Sequence, residues 1–528
     1  MPGGRWVILA GMSASSLPAS TLAPSLVLAI LVIYGVLLHV IGRFTAGLGK
    51  AAGGSGSGST GGSGTGAVSA DAFFLAERRS RWYVVAFGMI GTSLSGVTFV
   101  SVPGLVGVQG FSYLQMVLGY VPGYAVIALV LLPLYYRLQL VSIYGYLGER
   151  FGAASGRTGA AFFLLSRGLG VAARLYLVVK VLQWLVFDAW GVPFLATAAG
   201  MVAIIWGYTR RGGVRTVLWT DTLLTACLLL ALVGTVWALG NSLAGSPLAA
   251  LRLVAASDYS YALNFTDVAA PTYFWKQFLG GMFIAIAMTG LDQDMMQKNL
   301  TCRSLPEAQR NVLWFTVALV GVNLLFLSLG ALLYLYAGAQ GLVPPAQPDQ
   351  MYPWLATHAG VPVVVGLLFV LGMVAVAYSS ADSALAALTT SVCVDLLQVQ
   401  QRAASVQEPL RRRVHVAVSI ALVAAMAVFH AVGSASVIQL VFALATYTYG
   451  PLLGLFAFGL FTRAAVRDGW VPAVAVLAPL ITFVLDRHSA EWFWGYRFGF
   501  ELLLLNGAVT FLGLWLLRRP VARNAEGC

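Results

Sequence analysis

Charge is what this chain lacks. Only 9% of its 528 residues are Asp, Glu, Lys or Arg, whereas 59% are hydrophobic. A water-soluble domain carries about 25% charged residues, because water must wet its surface. A chain this long and this poor in charge presents most of its surface to lipid. Histidine is equally scarce: His39, His358, His415, His430 and His488 are scattered without HExxH or His/Asp spacing, which argues against a membrane-embedded transferase or protease. The four cysteines (Cys227, Cys302, Cys393 and Cys528) show no CxxC or metal spacing, so neither a zinc site nor a disulfide framework is implied. Cys227 and Cys393 lie within apolar runs, where cysteine packs as a small hydrophobe. The net charge of +12 is not a nucleic-acid signature, since the basic residues stand between apolar runs rather than in a patch interleaved with aromatics.

What is there is a series of apolar runs. Measured against about 20 residues per spanning helix, they number about thirteen and make an all-α polytopic membrane protein. They lie near 23–43, 82–107, 112–136, 157–186, 192–208 and 214–239, then near 272–292, 310–338, 362–396, 413–432, 435–462, 469–486 and 498–517. The longest stretch on the side poor in basic residues, about 240–271, is too short for a soluble catalytic domain. Residues 1–20, with one arginine and a short apolar run from Trp6 to Met12, read either as a weak signal peptide or as a leader before the first span.

Arginine and lysine fall on alternate sides of these runs. Arg43, Lys50, Arg78, Arg79 and Arg81 follow the first; Arg210, Arg211 and Arg215, then Lys298, Arg303 and Arg310, then Arg411 to Arg413 and finally Arg518, Arg519 and Arg523 share their side. The opposite side holds Arg5, Arg252, Lys276, Arg487 and Arg497. By the positive-inside rule the N-terminus is outside and the C-terminus cytoplasmic, in a cell (inner) membrane. Gly53 to Gly66 is nearly pure Gly/Ser/Thr, a flexible linker. The organisation expected is a leader and accessory span (1–45), a linker (46–70), a core (71–465) and two peripheral spans with a short tail (466–528).

Three segments carry chemistry. The second run reads Phe87-Gly-Met-Ile-Gly-Thr-Ser-Leu-Ser-Gly-Val-Thr-Phe99, followed by Ser101-Val-Pro-Gly104. Small residues this dense either let the helix unwind, so that freed carbonyls bind a cation, or let helices pack closely. The ninth run reads Ala375-Val-Ala-Tyr-Ser-Ser-Ala-Asp-Ser383. Ser379, Ser380 and Ser383 offer hydroxyl oxygens within little more than one turn and Asp382 adds a carboxylate. Such a group suits a hard cation such as sodium; alternatively the hydroxyls bond back to the preceding turn and Asp382 pairs with a basic residue. In the sixth run, Gly212-Gly-Val-Arg-Thr-Val-Leu-Trp-Thr-Asp221 puts an acid about two turns into an apolar helix, a functional candidate or one half of an ion pair with Arg167, Arg174 or Lys180. Those three bases lie within the fourth run, where they would neutralise buried acids or bind an anionic solute. Asp292, Gln293 and Asp294 end the seventh run and are expected as a wetted helix end, part of an inner gate.

From about Asp71 to the end of the eleventh run, the chain resembles the sodium:solute symporters, whose bacterial members carry galactose, proline and sialic acid. Phe73-Phe-Leu-Ala-Glu-Arg-Arg-Ser-Arg-Trp82 looks like the motif that precedes the family's first core helix. Gly212-Gly…Trp219-Thr-Asp221 is similar to its GG…WTD segment, and Tyr378-Ser-Ser-Ala-Asp-Ser…Val394-Asp395 resembles its paired-hydroxyl helix. The resemblance implies a LeuT-type core of five plus five helices in inverted repeats and sodium as coupling ion. It implies a sodium site formed by the carbonyls of Gly91, Leu94 and Val376 with the hydroxyls of Ser379 and Ser380. It further implies a second cation, or a retained proton, at Asp221, Asp382 and Ser383, where Asp382 departs from the family by replacing a hydroxyl. Where sugar-carrying members have an acid and an amide, this chain has Val97 and Thr98, which tells against a hexose. Thr98, Arg167, Tyr447 and Tyr449 are the candidates to face a small solute, the two tyrosines having helix packing as their alternative. A proton-coupled transporter on the same fold, a sensor and a channel are the competing functions.

Overall fold

The computed structural model describes residues 23–52, 80–140, 142–358, 360–432 and 437–519. The leader 1–20, the Gly/Ser-rich stretch 53–66 and residues 73–79 of the Phe73–Trp82 motif lie outside the described residues. The chain is nearly all helix. Its main helices are α1 (Pro24–Ala52), α2 (Trp82–Ser93), α3 (Gly96–Gln109), α4 (Tyr113–Val126), α5 (Ala153–Leu182), α6 (Phe194–Ala244) and α7 (Phe274–Ala285). They continue as α8 (Gln293–Asn299), α9 (Leu305–Ala339), α10 (Val363–Ser391), α11 (Ala404–Val432), α12 (Val437–Phe461), α13 (Val471–Arg487) and α14 (Leu502–Leu516). One antiparallel pair of two-residue strands, Ala465–Val466 with Arg518–Arg519, ties the chain after α14 to the loop after α12.

Among the described residues nine helices are long and apolar enough to cross a membrane, or ten if the bent pair at residues 274–299 is one span. The expected number is about thirteen. The difference has three sources: residues 96–137 form one apolar course, and the Phe194–Thr209 and Leu502–Leu516 helices are shorter than a full span.

Residues Phe194–Ala244 form a single helical stretch of 51 residues rather than two runs, because the Gly212-Gly213 pair costs a helix only about 1 kcal/mol per residue. The stretch is not straight. Tyr208 and Thr220 both donate to Oδ2 of Asp382, at 3.1 and 3.0 Å. Twelve residues apart on a straight helix they would stand about 18 Å apart. The chain therefore bends sharply between them, so that both halves face α10.

Two helices are broken, and they occupy corresponding places. The first core helix is interrupted between α2 and α3, where Leu94 (φ −77°, ψ 105°) and Ser95 (φ −98°, ψ 170°) are extended. The first helix of the second half widens over Ile286–Gly290 and breaks at Leu291, after which α8 runs at 70° to it. Backbone left unpaired at membrane depth survives only when buried in protein or lining a cavity. Around these breaks the helices approach closely: a Cβ on Gly119 of α4 would collide with the Phe278 carbonyl of α7, and one on Gly281 with the Met116 carbonyl. Small residues at such positions supply the close packing that lipid cannot drive by hydrophobicity.

Candidate functional site

The break in the first core helix frees backbone oxygens. Ser95 N–H turns to Thr98 Oγ1 (3.4 Å), so the Gly91 carbonyl receives no helical bond from Ser95. Gly91 packs where a side chain cannot fit: an added Cβ would strike Thr225 Oγ1 and touch Ser379 Oγ at 3.4 Å. Gly91 and Ser379 are therefore neighbours, and α2 and α10 meet at this point. Ser379 Oγ donates to Asp221 Oδ1 at 2.6 Å, which turns its lone pairs away from the acid. Ser380, 2% exposed, has a buried hydroxyl without a hydrogen-bond partner. A buried polar atom left without a partner costs about 1–3 kcal/mol and calls for an explanation. Hydroxyl and carbonyl oxygens are the ligands that a hard cation takes. Among the described residues no cluster of three or more His, Cys, Asp or Glu side chains is arranged for a metal ion.

Beside this point lies a chain of buried charges that joins six elements. Lys298 of α8 donates to Asp221 Oδ2 at 2.7 Å, and Thr92 of α2 donates to the same oxygen at 3.0 Å. Lys298 also stands 3.9 Å from Asp294. Asp294 is bonded to Arg167 of α5 and to Ser383 of α10. Arg167 reaches Asp292 at 3.7 Å, and Tyr449 of α12 donates to Asp292 at 2.7 Å. Asp292 caps α8 by accepting from the Asp294 and Met295 amides, where the positive end of the helix favours an acid. Asp382 is bonded to Tyr208, Thr220 and the Ser383 amide, with no cation within 4 Å among the described residues.

Several sequence expectations change here. Asp292, Gln293 and Asp294 are not a wetted helix end: all three are buried, because the break at Leu291 turns α8 into the core instead of toward water. The base opposite Asp221 is none of Arg167, Arg174 or Lys180 but Lys298, which the charge pattern assigns to a cytoplasmic loop and which is 2% exposed. Lys180 is exposed and stands over the Tyr176 ring. Asp382 pairs with hydroxyls and not with a base. Of the residues expected at a second cation or proton site, Asp221 is met by Lys298, Thr92 and Ser379, Asp382 accepts from Tyr208 and Thr220, and Ser383 donates to Asp294. The signal for Lys298 was its spacing from Asp294, i to i+4, which puts both on one helical face.

A cavity of about 100 Å³ opens directly at the break. Its wall includes Leu94, Ser95 and Thr98 of the broken helix, Arg167 and Arg174 of α5, and Asn323 of α9. Thr98 and Arg167 thus stand at the cavity, Arg167 with its guanidinium engaged by acids. Tyr449 stands behind it on Asp292. Tyr447 faces away, donating to Asp486 of α13 at 2.9 Å.

Corresponding helices broken beside a cavity are the arrangement of ion-coupled secondary transporters. Within that class, the chain belongs to the sodium:solute symporter family, whose model matches residues 73–474. It is 26% identical over 416 residues to the human sodium/iodide cotransporter, covering 76% of this chain and 62% of that protein. It is 21% identical to the sodium/sialic acid symporter of Aliivibrio fischeri, covering 84% and 88%, and 26% identical to the rabbit sodium-dependent multivitamin transporter, covering 77% and 64%. The chain thus spans somewhat under two thirds of the two animal relatives' length. Among solved structures, a Na⁺-coupled sialic acid symporter in a substrate-bound outward-open state matches with a TM-score of 0.74 at 19% identity, over 94% of this chain and 99% of that one. A nucleobase-cation-symport-1 family transporter in a closed conformation matches with a TM-score of 0.52 at 14% identity, over 83% and 92%. These likenesses establish the LeuT-type fold.

Proposed function

We propose that this protein moves a small solute across the cell membrane together with sodium, with its N-terminus outside, and that it performs no covalent chemistry. The sodium ion sits between α2 and α10, on the carbonyls of Gly91, Leu94 and Val376 and the hydroxyls of Ser379 and Ser380. The observation that carries this reading is the unpartnered, buried Ser380 hydroxyl, next in the chain to Ser379, which packs against Gly91 of the broken helix. The solute occupies the cavity at the same break. The positive charge that balances Asp221 is supplied internally by the Lys298 ammonium, so one sodium rather than two drives transport. One sodium crossing 100 mV gives about 2.3 kcal/mol and a tenfold gradient adds about 1.4 kcal/mol; together they concentrate a neutral solute roughly 500-fold.

The test needs no solute. Wild type and Ser380→Ala are unfolded thermally in sodium chloride and in potassium or choline chloride at equal ionic strength. A ligand bound only by the folded state stabilises by RT ln(1 + [L]/Kd), about 2.7 kcal/mol at 100 Kd. A saturable sodium-selective shift that disappears in Ser380→Ala is expected; equal midpoints in all three salts would remove sodium coupling from consideration. Proton coupling rests on Asp382, the one acid of the cluster without a cation within 4 Å among the described residues. If protons replace sodium, pH dependence of uptake disappears in Asp382→Asn while the salts remain indistinguishable.

A further inference from the structure

Among the described residues two charged side chains stand on the cavity wall, Arg167 and Arg174, and no acid does. Their situations differ. Arg167 is engaged by Asp294 and Asp292. Arg174, two turns further along α5 and on the same face, has no carboxylate within 4 Å and no hydrogen bond to any described residue; its Nε is shut off from solvent without a partner. A guanidinium is charged at every physiological pH, and a charge at this depth is normally paired or placed on a pathway. The polar groups that share the wall with Arg174 are neutral hydroxyls and an amide, among them Thr92, Ser93, Tyr113, Tyr120 and Asn323.

We propose that Arg174 is the binding group for the solute and that the solute is a small monovalent anion. This rests on the symporter reading and gives it a substrate class. The planar fork of a guanidinium matches a carboxylate or a planar inorganic anion with two parallel hydrogen bonds. The hydroxyls around it donate to the remaining oxygens. At about 100 Å³ the cavity is smaller than the roughly 150 Å³ void that takes benzene, which suits an anion of the size of a short carboxylate or nitrate. Sodium at the neighbouring break offsets the anion's charge, so that the pair enters a low-dielectric site without a net charge.

The full-length protein is purified in sodium sulfate and unfolded thermally at constant ionic strength, with acetate, lactate or nitrate replacing part of the sulfate. Acetamide and lactamide serve as neutral isosteres. A saturable rise in midpoint with at least one anion, and with neither amide, is expected; a response to carboxylates only or to nitrate only identifies the source. In Arg174→Gln the apparent affinity for that anion falls about tenfold or more, while the sodium-against-potassium shift persists. Arg174→Lys, which keeps the charge and loses the fork, falls between. The proposal is overturned if no anion acts although the sodium shift is present, if the amides act as well as the anions, or if Arg174→Gln responds like wild type. Should Arg174→Gln not fold, the wild-type comparison of anion with amide and the affinity of Arg174→Lys decide. Loss of any sodium-selective shift in wild type removes the symporter reading itself.

Discussion

Lys298→Met removes an ammonium from the protein interior while nearly preserving the length of the side chain. Asp221 then keeps only hydroxyl donors, Thr92 at 3.0 Å and Ser379 at 2.6 Å. Breaking one side of a buried ion pair costs about 3–5 kcal/mol, because the remaining charge is left uncompensated. The same change opens a place for a second cation on Asp221, adjacent to the proposed sodium site through Ser379. Sodium at 100 Kd at this new place would return about 2.7 kcal/mol, at least half of the loss. Wild type, Lys298→Met, Asp221→Asn and the Asp221→Asn/Lys298→Met double variant are compared by thermal unfolding in sodium and potassium salts, at one scan rate because unfolding of a protein this size is often irreversible. The single variant is expected to unfold well below wild type in potassium and to show the larger, steeper sodium response. The double variant recovers most of the loss, since no uncompensated charge remains. Lys298→Met indistinguishable from wild type in potassium, or a double variant whose loss is the sum of the two singles, would show that the pair is not coupled and would remove Lys298 as the internal counter-charge.

Three further outcomes are expected. Gly91→Ala places a methyl against the Thr225 hydroxyl and at 3.4 Å from Ser379 Oγ; overpacking of this kind costs about 1–3 kcal/mol, and a sodium titration should show weakened binding, whereas a stabilised protein with intact sodium response would contradict it. Asp468 accepts from the Ala154 amide (2.9 Å), the Ser155 amide (2.8 Å) and the Ser155 hydroxyl (2.6 Å) at the start of α5; Asp468→Ala should cost about 0.5–2 kcal/mol as a lost cap, read as a lower midpoint in either salt with the sodium shift unchanged. Asp349 precedes α10 and accepts from the Val437 amide at the start of α12 (2.8 Å), and burial raises its pKa above the ordinary carboxylate value, the amide pulling the other way. With the folded value above the unfolded one near 3.9, its stabilising contribution is complete below that value and is lost as pH rises through the folded value. Wild type should therefore lose stability relative to Asp349→Asn as pH climbs from about 4, and a midpoint difference independent of pH would count against it.

How much of this was legible in the sequence depended on whether the chemistry was local. The density of small residues in Phe87–Phe99 marks a weak helix, and the helix does break at Leu94–Ser95. The hydroxyls of Ser379 and Ser380 are adjacent in the chain, so their grouping needs no tertiary structure. Lys298 was misplaced for a physical reason: a base just past an apolar run is ordinarily in water, and only the 70° turn at residue 291 carries it back into the core. The convergence of Tyr208 and Thr220 on Asp382 rests on a bend within α6 that no periodicity encodes. Tyr447 and Tyr449 are two residues apart on one helix, hence on different faces, and only packing against α13 and α8 decides which of them turns inward.

Ser379 is the point at which the proposed sodium site and the chain of charges share an atom. Its proton is committed to Asp221, so a cation can meet only its lone pairs, and a hydrogen bond donated to a carboxylate makes the donor oxygen the better ligand. Sodium at the proposed site and Lys298 would act on the same acid from two sides, one through a hydroxyl and one directly. Any movement that draws α8 away from α6 weakens the Lys298–Asp221 bond and alters the ligand that Ser379 presents to the ion. By reciprocity, sodium binding must then favour the arrangement in which that bond is intact, by the same free energy with which the bond favours sodium. Because Arg167 ties α5, on the face that lines the cavity, to the same segment through Asp292 and Asp294, a solute held on α5 would act on the ion through this chain of pairs, with no direct contact between the two required.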